Sequence, residues 1–333
     1  MRYYCAFENR QSSLTGAKLL ALSLEKHCRD FTLFLGTIEE DPQLSAWLKK
    51  HAPHVVLIHL KSFQKESSLK HIKPFFILEL FERGISDVTW LDTDLLALRD
   101  LEPLLGPLDA DTLLVAQDMD YTFEFNPRLL EHYRLKPARK LKHCVNTCVL
   151  RVTTRHAELM KRFLAYLLDP LFVEQQAKQA SARLPDFAFD QKILELLLCS
   201  TDENDPPAFP VQFVPEGSGI IQELGVTTYS LRDRLLNGIG RNRPWFVHIP
   251  GAIKPWNADV RSRRHRGTSV YSTFAEIYKN QMEDDMSWVN SAGLSSRIGH
   301  FLFFGQPHWM GWAHCLAGKC WRFLRTGTVR RRA

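Results

Sequence analysis

The nine residues Val88-Thr89-Trp90-Leu91-Asp92-Thr93-Asp94-Leu95-Leu96 constrain the fold more than any other part of the chain. An apolar run of this length suits a strand of a parallel sheet covered on both faces. It predicts a buried strand that delivers Asp92 and Asp94 to its own C-terminal end. Two carboxylates one residue apart, set in apolar bulk, repel each other and are costly to bury unpaired. A divalent cation with oxygen ligands relieves that cost. The alternative is a pair of ordinary aspartates capping the next turn.

Further strands are predicted at Tyr3–Phe7, Phe31–Leu35, Val55–Leu60, Thr112–Ala116, Val145–Leu150 and Val211–Val214. Helices are predicted at Thr15–Cys28, with Ser12 or Ser13 as its cap, and from Asp41, with Pro42 at its first position. Others fall at Pro74–Arg83, stopped by Gly84, at Thr153–Leu168 and within Asp186–Cys199. The polar, glutamine-rich segment Leu171–Pro185 reads as a surface helix or loop. Alternating strands and helices imply an α/β fold, a Rossmann-like, doubly wound and mostly parallel sheet. In such sheets ligands bind beyond the carboxyl ends of the strands. Glu8, Asn9, Asp92, Asp94 and Asp118 each follow a predicted strand, so one shared rim is expected.

A second informative stretch runs from Trp245 to Trp256. It reads as a strand ending at His248, then a tight turn in which Gly251 permits close backbone approach to a ligand. A neutral imidazole with two carboxylates makes a reasonable Mn²⁺ or Mg²⁺ set, and Lys254, six residues after the histidine, suits a diphosphate on the same metal. A lone histidine is more often a satisfied core residue. That reading leaves the Asp-x-Asp strand and the glycine unexplained.

Together, Trp90-Leu91-Asp92-Thr93-Asp94 and the distant His248-x-x-Gly251-x-x-Lys254-Pro255-Trp256 resemble glycosyltransferase family 8, retaining enzymes of the GT-A fold that use nucleotide sugars. The resemblance covers about residues 1–258 and implies a GT-A transferase domain there, followed by a basic, aromatic extension over 259–333. It implies that Asp92, Asp94 and His248 hold Mn²⁺ (or Mg²⁺), and that Gly251 and Lys254 hold the diphosphate of a UDP-sugar. Asn146 and Thr147 match a donor-sugar position, and Asp190 and Gln191 match the pair beside the reacting carbon. Asp118 falls where the family has an acidic residue near the sugar, and Lys73 where it has a basic residue against the donor. Two departures stand out. The first strand ends Phe7-Glu8-Asn9-Arg10, whereas the family has an acidic then an aromatic residue near the base. Cys148 replaces a glycine, which narrows the expected sugar pocket. The implied activity is transfer of a hexose from a UDP-sugar to a glycan or glycolipid acceptor, in cell-surface polysaccharide or lipopolysaccharide synthesis.

The net charge of +6 is carried by the end of the chain: from Met286 onward there are seven Lys and Arg and no acid, so the remainder sums to −1. The same stretch holds Phe301, Phe303, Phe304, Trp309, Trp312, Trp321 and Phe323, and the loop Arg261–Arg266 is also basic. Aromatics with Arg and Lys suit an anionic membrane surface. Nucleic acid is a lesser fit, and a subdomain packed on the body is the plain alternative. Seven cysteines without a C-x-x-C pair predict free thiols in a reducing compartment. The strand-like Met1–Cys5 run lacks the pattern of a signal peptide. The expectation is a cytoplasmic protein, peripheral on the inner face of the membrane. Rival functions are a non-catalytic nucleotide- or sugar-binding module, or a phosphatase with Asp-x-Asp at a strand end. The latter wants its motif on the first strand with Thr or Val at the position of Leu96.

Overall fold

The computed structural model describes residues 1–60, 69–118, 123–201, 209–215, 217–222, 243–251, 254–256, 270–284, 286–289 and 320. In chain order its strands are β1 (Arg2–Phe7), β2 (Phe31–Thr37), β3 (Val55–His59), β4 (Asp87–Leu91), β5 (Leu95–Ala97), β6 (Leu113–Gln117), β7 (Lys136–Pro137), β8 (Val145–Thr153), β9 (Ser200–Thr201), β10 (Val211–Val214), β11 (Ile220–Gln222) and β12 (Phe246–His248). Its helices are α1 (Leu14–His27), α2 (Pro42–His51), α3 (Ile72–Glu82), α4 (Glu102–Leu105), α5 (Pro127–His132), α6 (Ala157–Leu167), α7 (Pro170–Ala177), α8 (Asp190–Cys199) and α9 (Val270–Ala275). The chain divides into two interleaved units. The first comprises Met1–Asn9, Arg29–Asp92 and Glu102–Val214; the second comprises Arg10–Cys28, Thr93–Leu101 and Pro215–Ala333. The basic loop Arg261–Arg266 and the aromatic stretch from Phe301 to Trp312 lie outside the described residues, as do Trp321 and Phe323.

The first unit is built on a seven-stranded sheet in the order β10-β6-β8-β4-β1-β2-β3. Every neighbouring pair is parallel except those made by β8, which runs antiparallel to β4 and β6. The fold is therefore mixed α/β with a mostly parallel sheet. The reversal of β8 matters for the site. Asn146 and Thr147 open that strand, so they fall at the sheet edge where β4 and β6 end. The ladder between β6 and β8 slips between Val115 and Ala116, where the β8 partner jumps from Leu150 to Asn146. Such bulges re-aim side chains and carbonyls near functional sites. Helices α3, α6 and α8 pack side by side on this sheet. Phe76 and Leu80, Met160 and Phe163, and Ile193 and Leu194 are their buried contributions. Each such side chain contributes about 1.5–3 kcal/mol of transfer free energy.

Local chemistry explains several boundaries. Asp41 accepts from Leu44 N–H (2.9 Å) and Pro42 opens α2, as its sequence predicts. The stop of α3 at Gly84 is completed by Ile85 N–H donating to Leu80 O at 3.0 Å. At the opposite sheet edge from the site, Arg151 is buried and ties three chain segments. Its guanidinium grips Asp87 at 2.9 and 2.8 Å and donates to the carbonyls of Asp109 and Thr112.

Three sequence expectations need correction. The Val88–Leu96 run is not one strand. Strand β4 ends at Leu91, and Leu95 begins β5, which pairs with β12 in a different sheet. The two aspartates thus sit on the link, where carboxylates can be solvated or bonded. Leu171–Pro185 is not simply surface, since Gln175 and Gln176 are buried and make specific bonds: Gln175 Oε1 accepts from Leu184 N–H (3.0 Å) and Gln176 Nε2 donates to Phe187 O (2.6 Å). Ser13 precedes α1 without a side-chain capping bond, because the turn Gln11–Ser13 leads directly into the helix.

The second unit contains the small sheet β11-β12-β5, with α1 packed on β5 and burying Leu19, Leu20, Leu22 and Leu24. Among the described residues no helix is long and apolar enough to cross a membrane.

The end of β8 carries a pH-sensitive cap. Thr153 N–H donates to His156 Nδ1 at 3.0 Å, so that nitrogen bears no proton, and Nε2 donates to Asp111 O at 3.1 Å. Burial holds this imidazole below its ordinary 6.5. Burial, then Arg243 and Lys26, lower His27 to about 4. Both rings stay neutral in the folded chain while the unfolded chain protonates near 6.5, so the unfolded state binds more protons below that pH. Stability is therefore expected to be fully present above pH 6.5 and to fall between 6.5 and about 4. Urea midpoints at pH 7.5 and 5.5 check this. A midpoint that does not fall would show both rings titrating normally.

Candidate functional site

The first unit gathers one set of polar side chains where its strands end. Asp92 follows β4, and its N–H still donates to Cys148 O (2.9 Å), which continues the β4–β8 ladder by one residue. Asp92 Oδ1 accepts from Trp90 Nε1–H at 2.6 Å and lies 3.3 Å from Lys73 Nζ. Lys73, only 5% exposed, stands on α3 and also donates to Thr147 O (2.7 Å). It lies 3.6 Å from Asp190 Oδ2, which also accepts from Thr147 Oγ1 (3.1 Å). One buried ammonium thus serves two carboxylates and a carbonyl. Burial disfavours its charge, but Asp92 and Asp190 outweigh that and raise its pKa. Burial likewise pushes the Asp190 carboxyl up, yet Lys73, Lys70 and Thr147 together hold it below the usual range. At the first turn of α8, Asp190 also meets the favourable end of the helix dipole.

Beside this network Asp118, after β6, accepts from Asn146 Nδ2 (3.2 Å) and from Gln191 Nε2 (3.0 Å). Asn146 Oδ1 accepts from Cys148 N–H (3.0 Å), which stabilises the bulge. The sequence-predicted Asp118, Asn146, Thr147, Asp190 and Gln191 are thus brought together, with Lys73 and Asp92, in one polar cluster. Glu8, buried after β1, accepts from Asn9 N–H (3.2 Å), and Asn9 Oδ1 accepts from Ile38 N–H (3.1 Å). They tie the ends of β1 and β2.

In the second unit β12 pairs antiparallel with β5, His248 opposite Leu95. Asp94, just before β5, therefore meets His248 directly. The Asp94 Oδ2 atom accepts from Lys254 Nζ, which also donates to Ile249 O (2.6 Å). Burial pushes the Asp94 carboxyl up, but Lys254, then His248, hold it well below the usual carboxylate range. Asp94 Oδ1 is buried, 3.3 Å from His248 Nε2 without hydrogen-bond geometry, and among the described residues it makes no hydrogen bond; nor does His248 Nδ1. Gly251 adopts φ +93°, the left-handed region glycine favours, which folds the chain back so that Lys254 reaches Asp94. Gly16 on α1 is equally constrained: a Cβ there would lie 2.7 Å from Thr93 O and 2.9 Å from the Trp256 ring.

Sequence reasoning missed three residues. Trp90 reads as apolar bulk, yet its N–H holds Asp92; residues i and i+2 of a strand share a face, which is the signal that was available. Glu195 and Lys192 lie in an apolar helix pattern. Glu195 Oε2 accepts from Val145 N–H (2.9 Å) and its Oε1 from Lys192 Nζ (2.9 Å), which anchors the start of β8.

A mostly parallel sheet with one reversed strand, and polar residues gathered where its strands end, matches the GT-A fold of solved glycosyltransferases. Solved structures share it. The chain aligns with the glycosyltransferase GlyE of Streptococcus pneumoniae TIGR4 over 87% of its own length and 63% of that chain, with TM-score 0.50 and 16% identity. It aligns with the bifunctional glycosyltransferase WbbM over 86% and 50%, with TM-score 0.51 and 14% identity. It aligns with the galactosyltransferase LgtC, solved with donor and acceptor sugar analogues, over 85% and 100%, with TM-score 0.50 and 16% identity. This chain thus spans under two thirds of GlyE and half of WbbM. No family model and no curated protein matches it.

Proposed function

We propose that this chain is a glycosyltransferase of the family 8 type, moving a hexose from a UDP-sugar to a glycan or glycolipid acceptor with retention. The observation that carries the reading is Asp94. One of its oxygens is buried beside an imidazole and makes no hydrogen bond among the described residues, while the other is held by a buried ammonium. Such an oxygen is costly unless it has a further partner. Asp94, Asp92 two residues earlier and His248 each offer one atom of the kind Mn²⁺ or Mg²⁺ accepts. The residues present therefore fit a divalent cation. When bound, the cation would neutralise the diphosphate of the donor and act as a Lewis acid toward it.

The remaining roles fall to the chain's own groups. Lys254 is assigned to the diphosphate, whose charge it would stabilise as the glycosidic bond breaks. Gly251 leaves the backbone open to the phosphates. We assign Glu8 and Asn9 to the base, and Asn146, Thr147, Asp118 and Lys73 to the donor sugar. Asp190 and Gln191 bind hydroxyls of donor or acceptor beside the reacting carbon. Gln191 is a poor nucleophile, and its amide is committed to Asp118. Front-face attack assisted by the departing phosphate is therefore the favoured route to retention. The basic, aromatic end of the chain extends the proposal to an anionic surface on the inner face of a membrane, with a membrane-borne acceptor such as a lipopolysaccharide core.

The test is thermal unfolding with UDP, GDP, ADP and CDP, each with and without Mn²⁺. UDP is expected to stabilise the protein only with metal present, by about 2.7 kcal/mol at a hundredfold excess over Kd. Stabilisation by none of them refutes the reading. Binding without product from any UDP-sugar would leave a binding module.

A further inference from the structure

We propose that Trp90 is a positioning residue for Asp92: its indole N–H fixes the carboxylate so that Oδ1 faces inward and Oδ2 is presented to the cation. The inference rests on the reading of Asp92 as a metal ligand.

The geometry is local and asymmetric. Trp90 is the penultimate residue of β4, and its side chain shares a face with Asp92 two positions on. The Nε1–H···Oδ1 distance of 2.6 Å is that of a short, charge-assisted bond. Lys73 Nζ lies 3.3 Å from the same oxygen and 5.3 Å from the centroid of the Trp90 ring. Oδ1 therefore accepts from Trp90 and lies beside the Lys73 ammonium, which is itself held over the indole face. Among the described residues no donor reaches Oδ2. The carboxylate is thus split into a committed oxygen and an open one.

The arrangement also satisfies Trp90. The residue is buried, and a buried indole N–H needs an acceptor. Neither Phe nor Leu would hold Asp92, although both would serve the core. An aspartate carboxylate, free to turn about χ1 and χ2, samples several rotamers unless something locks it. Groups that lock a metal ligand typically contribute 10–100-fold in metal affinity. Lys73 alone does not lock it, because the same ammonium is shared with Asp190 and Thr147 O.

Two variants test this. Trp90→Phe removes the N–H and keeps an aromatic face under Lys73. Replacing Trp90 with β-(3-benzothienyl)alanine exchanges N–H for sulfur at nearly unchanged ring volume, and guards against a core defect in the first. The readout is the Mn²⁺ dissociation constant from the electron paramagnetic resonance signal of free Mn²⁺, with UDP present, alongside UDP affinity at saturating Mn²⁺. Both variants are expected to raise the Mn²⁺ dissociation constant about 10–100-fold, with UDP affinity restored once metal is saturating. An unchanged Mn²⁺ dissociation constant in the benzothienyl variant overturns the proposal. So does a loss of UDP affinity that saturating Mn²⁺ does not restore, since that would place Trp90's effect elsewhere. Asp92→Asn, measured in parallel, separates the two layers. If Asp92→Asn binds Mn²⁺ as tightly as the unaltered chain, the metal reading itself fails. If it loses Mn²⁺ while both Trp90 variants keep it, only the positioning role falls.

Discussion

Asp94→Asn is expected to abolish metal-dependent turnover, on the order of 10²–10³-fold or more in kcat, and to destabilise the protein without any ligand present. The two effects have different causes. The catalytic loss follows from removing the carboxylate that offers its open oxygen beside His248. The stability loss follows from Lys254, which is 4% exposed and donates only to Asp94 and to Ile249 O among the described residues. An amide in place of the carboxylate leaves that ammonium buried and uncompensated. Breaking a buried pair from one side costs about 3–5 kcal/mol. The double variant Asp94→Asn/Lys254→Met removes the orphaned cation as well and is expected to regain most of the lost stability. It is not expected to regain Mn²⁺-dependent UDP binding. Chemical unfolding of the two variants and the unaltered chain, with Mn²⁺ titrations on each, checks both halves. A double variant that again binds UDP only with Mn²⁺ would remove Asp94 from the metal site.

How much of this was legible in the sequence depends on the distance over which each feature is specified. Asp92, Asp94, His248, Gly251 and Lys254 stand out because their chemistry is compressed into short motifs whose residue types are costly to bury without a task. The Asp41 cap and the Gly84 stop are legible for the same reason, since a few adjacent residues decide them. The split of Val88–Leu96 is not. Leu95–Ala97 leaves the main sheet to pair with Phe246–His248, about 150 positions away, and no local pattern announces that partner. Nor does hydropathy reveal Trp90, Gln175, Gln176 or Glu195. A scale that counts an indole as apolar bulk discards its one donor. One that counts glutamine as surface cannot see that a buried amide closes a loop. The reversal of β8 is likewise silent, because Val145–Thr153 reads equally well in either direction. It is this reversal that carries Asn146 and Thr147 to the site.

Lys73→Met is the second substitution expected to have a large effect, and it separates donor chemistry from metal binding. The ammonium is buried and faces Asp92 Oδ1, Asp190 Oδ2 and Thr147 O together. Methionine fills similar volume with no charge, which leaves Asp190 without its main counter-ion and Thr147 O without a donor. A destabilisation of about 3–5 kcal/mol at pH 7 is expected. Its pH dependence follows from Asp190. In the unaltered chain that carboxyl is held below its ordinary 3.8, so its contribution is full above that pH and is lost as pH falls through the folded value. The variant lacks this contribution at neutral pH, so the gap between the two proteins should be widest there and narrow as pH falls through the carboxylate range. Affinity for Mn²⁺ should not drop, because Lys73 places a positive charge beside a proposed ligand of the cation, and removing it relieves repulsion. Turnover at saturating Mn²⁺ should nevertheless fall on the order of 10²–10³-fold, the usual cost of deleting one preorganised charge from a reacting centre. Parallel Mn²⁺ titrations and kcat measurements distinguish the outcomes. A fall in Mn²⁺ affinity with kcat retained would make Lys73 a prop for Asp92 and not a partner of the donor sugar.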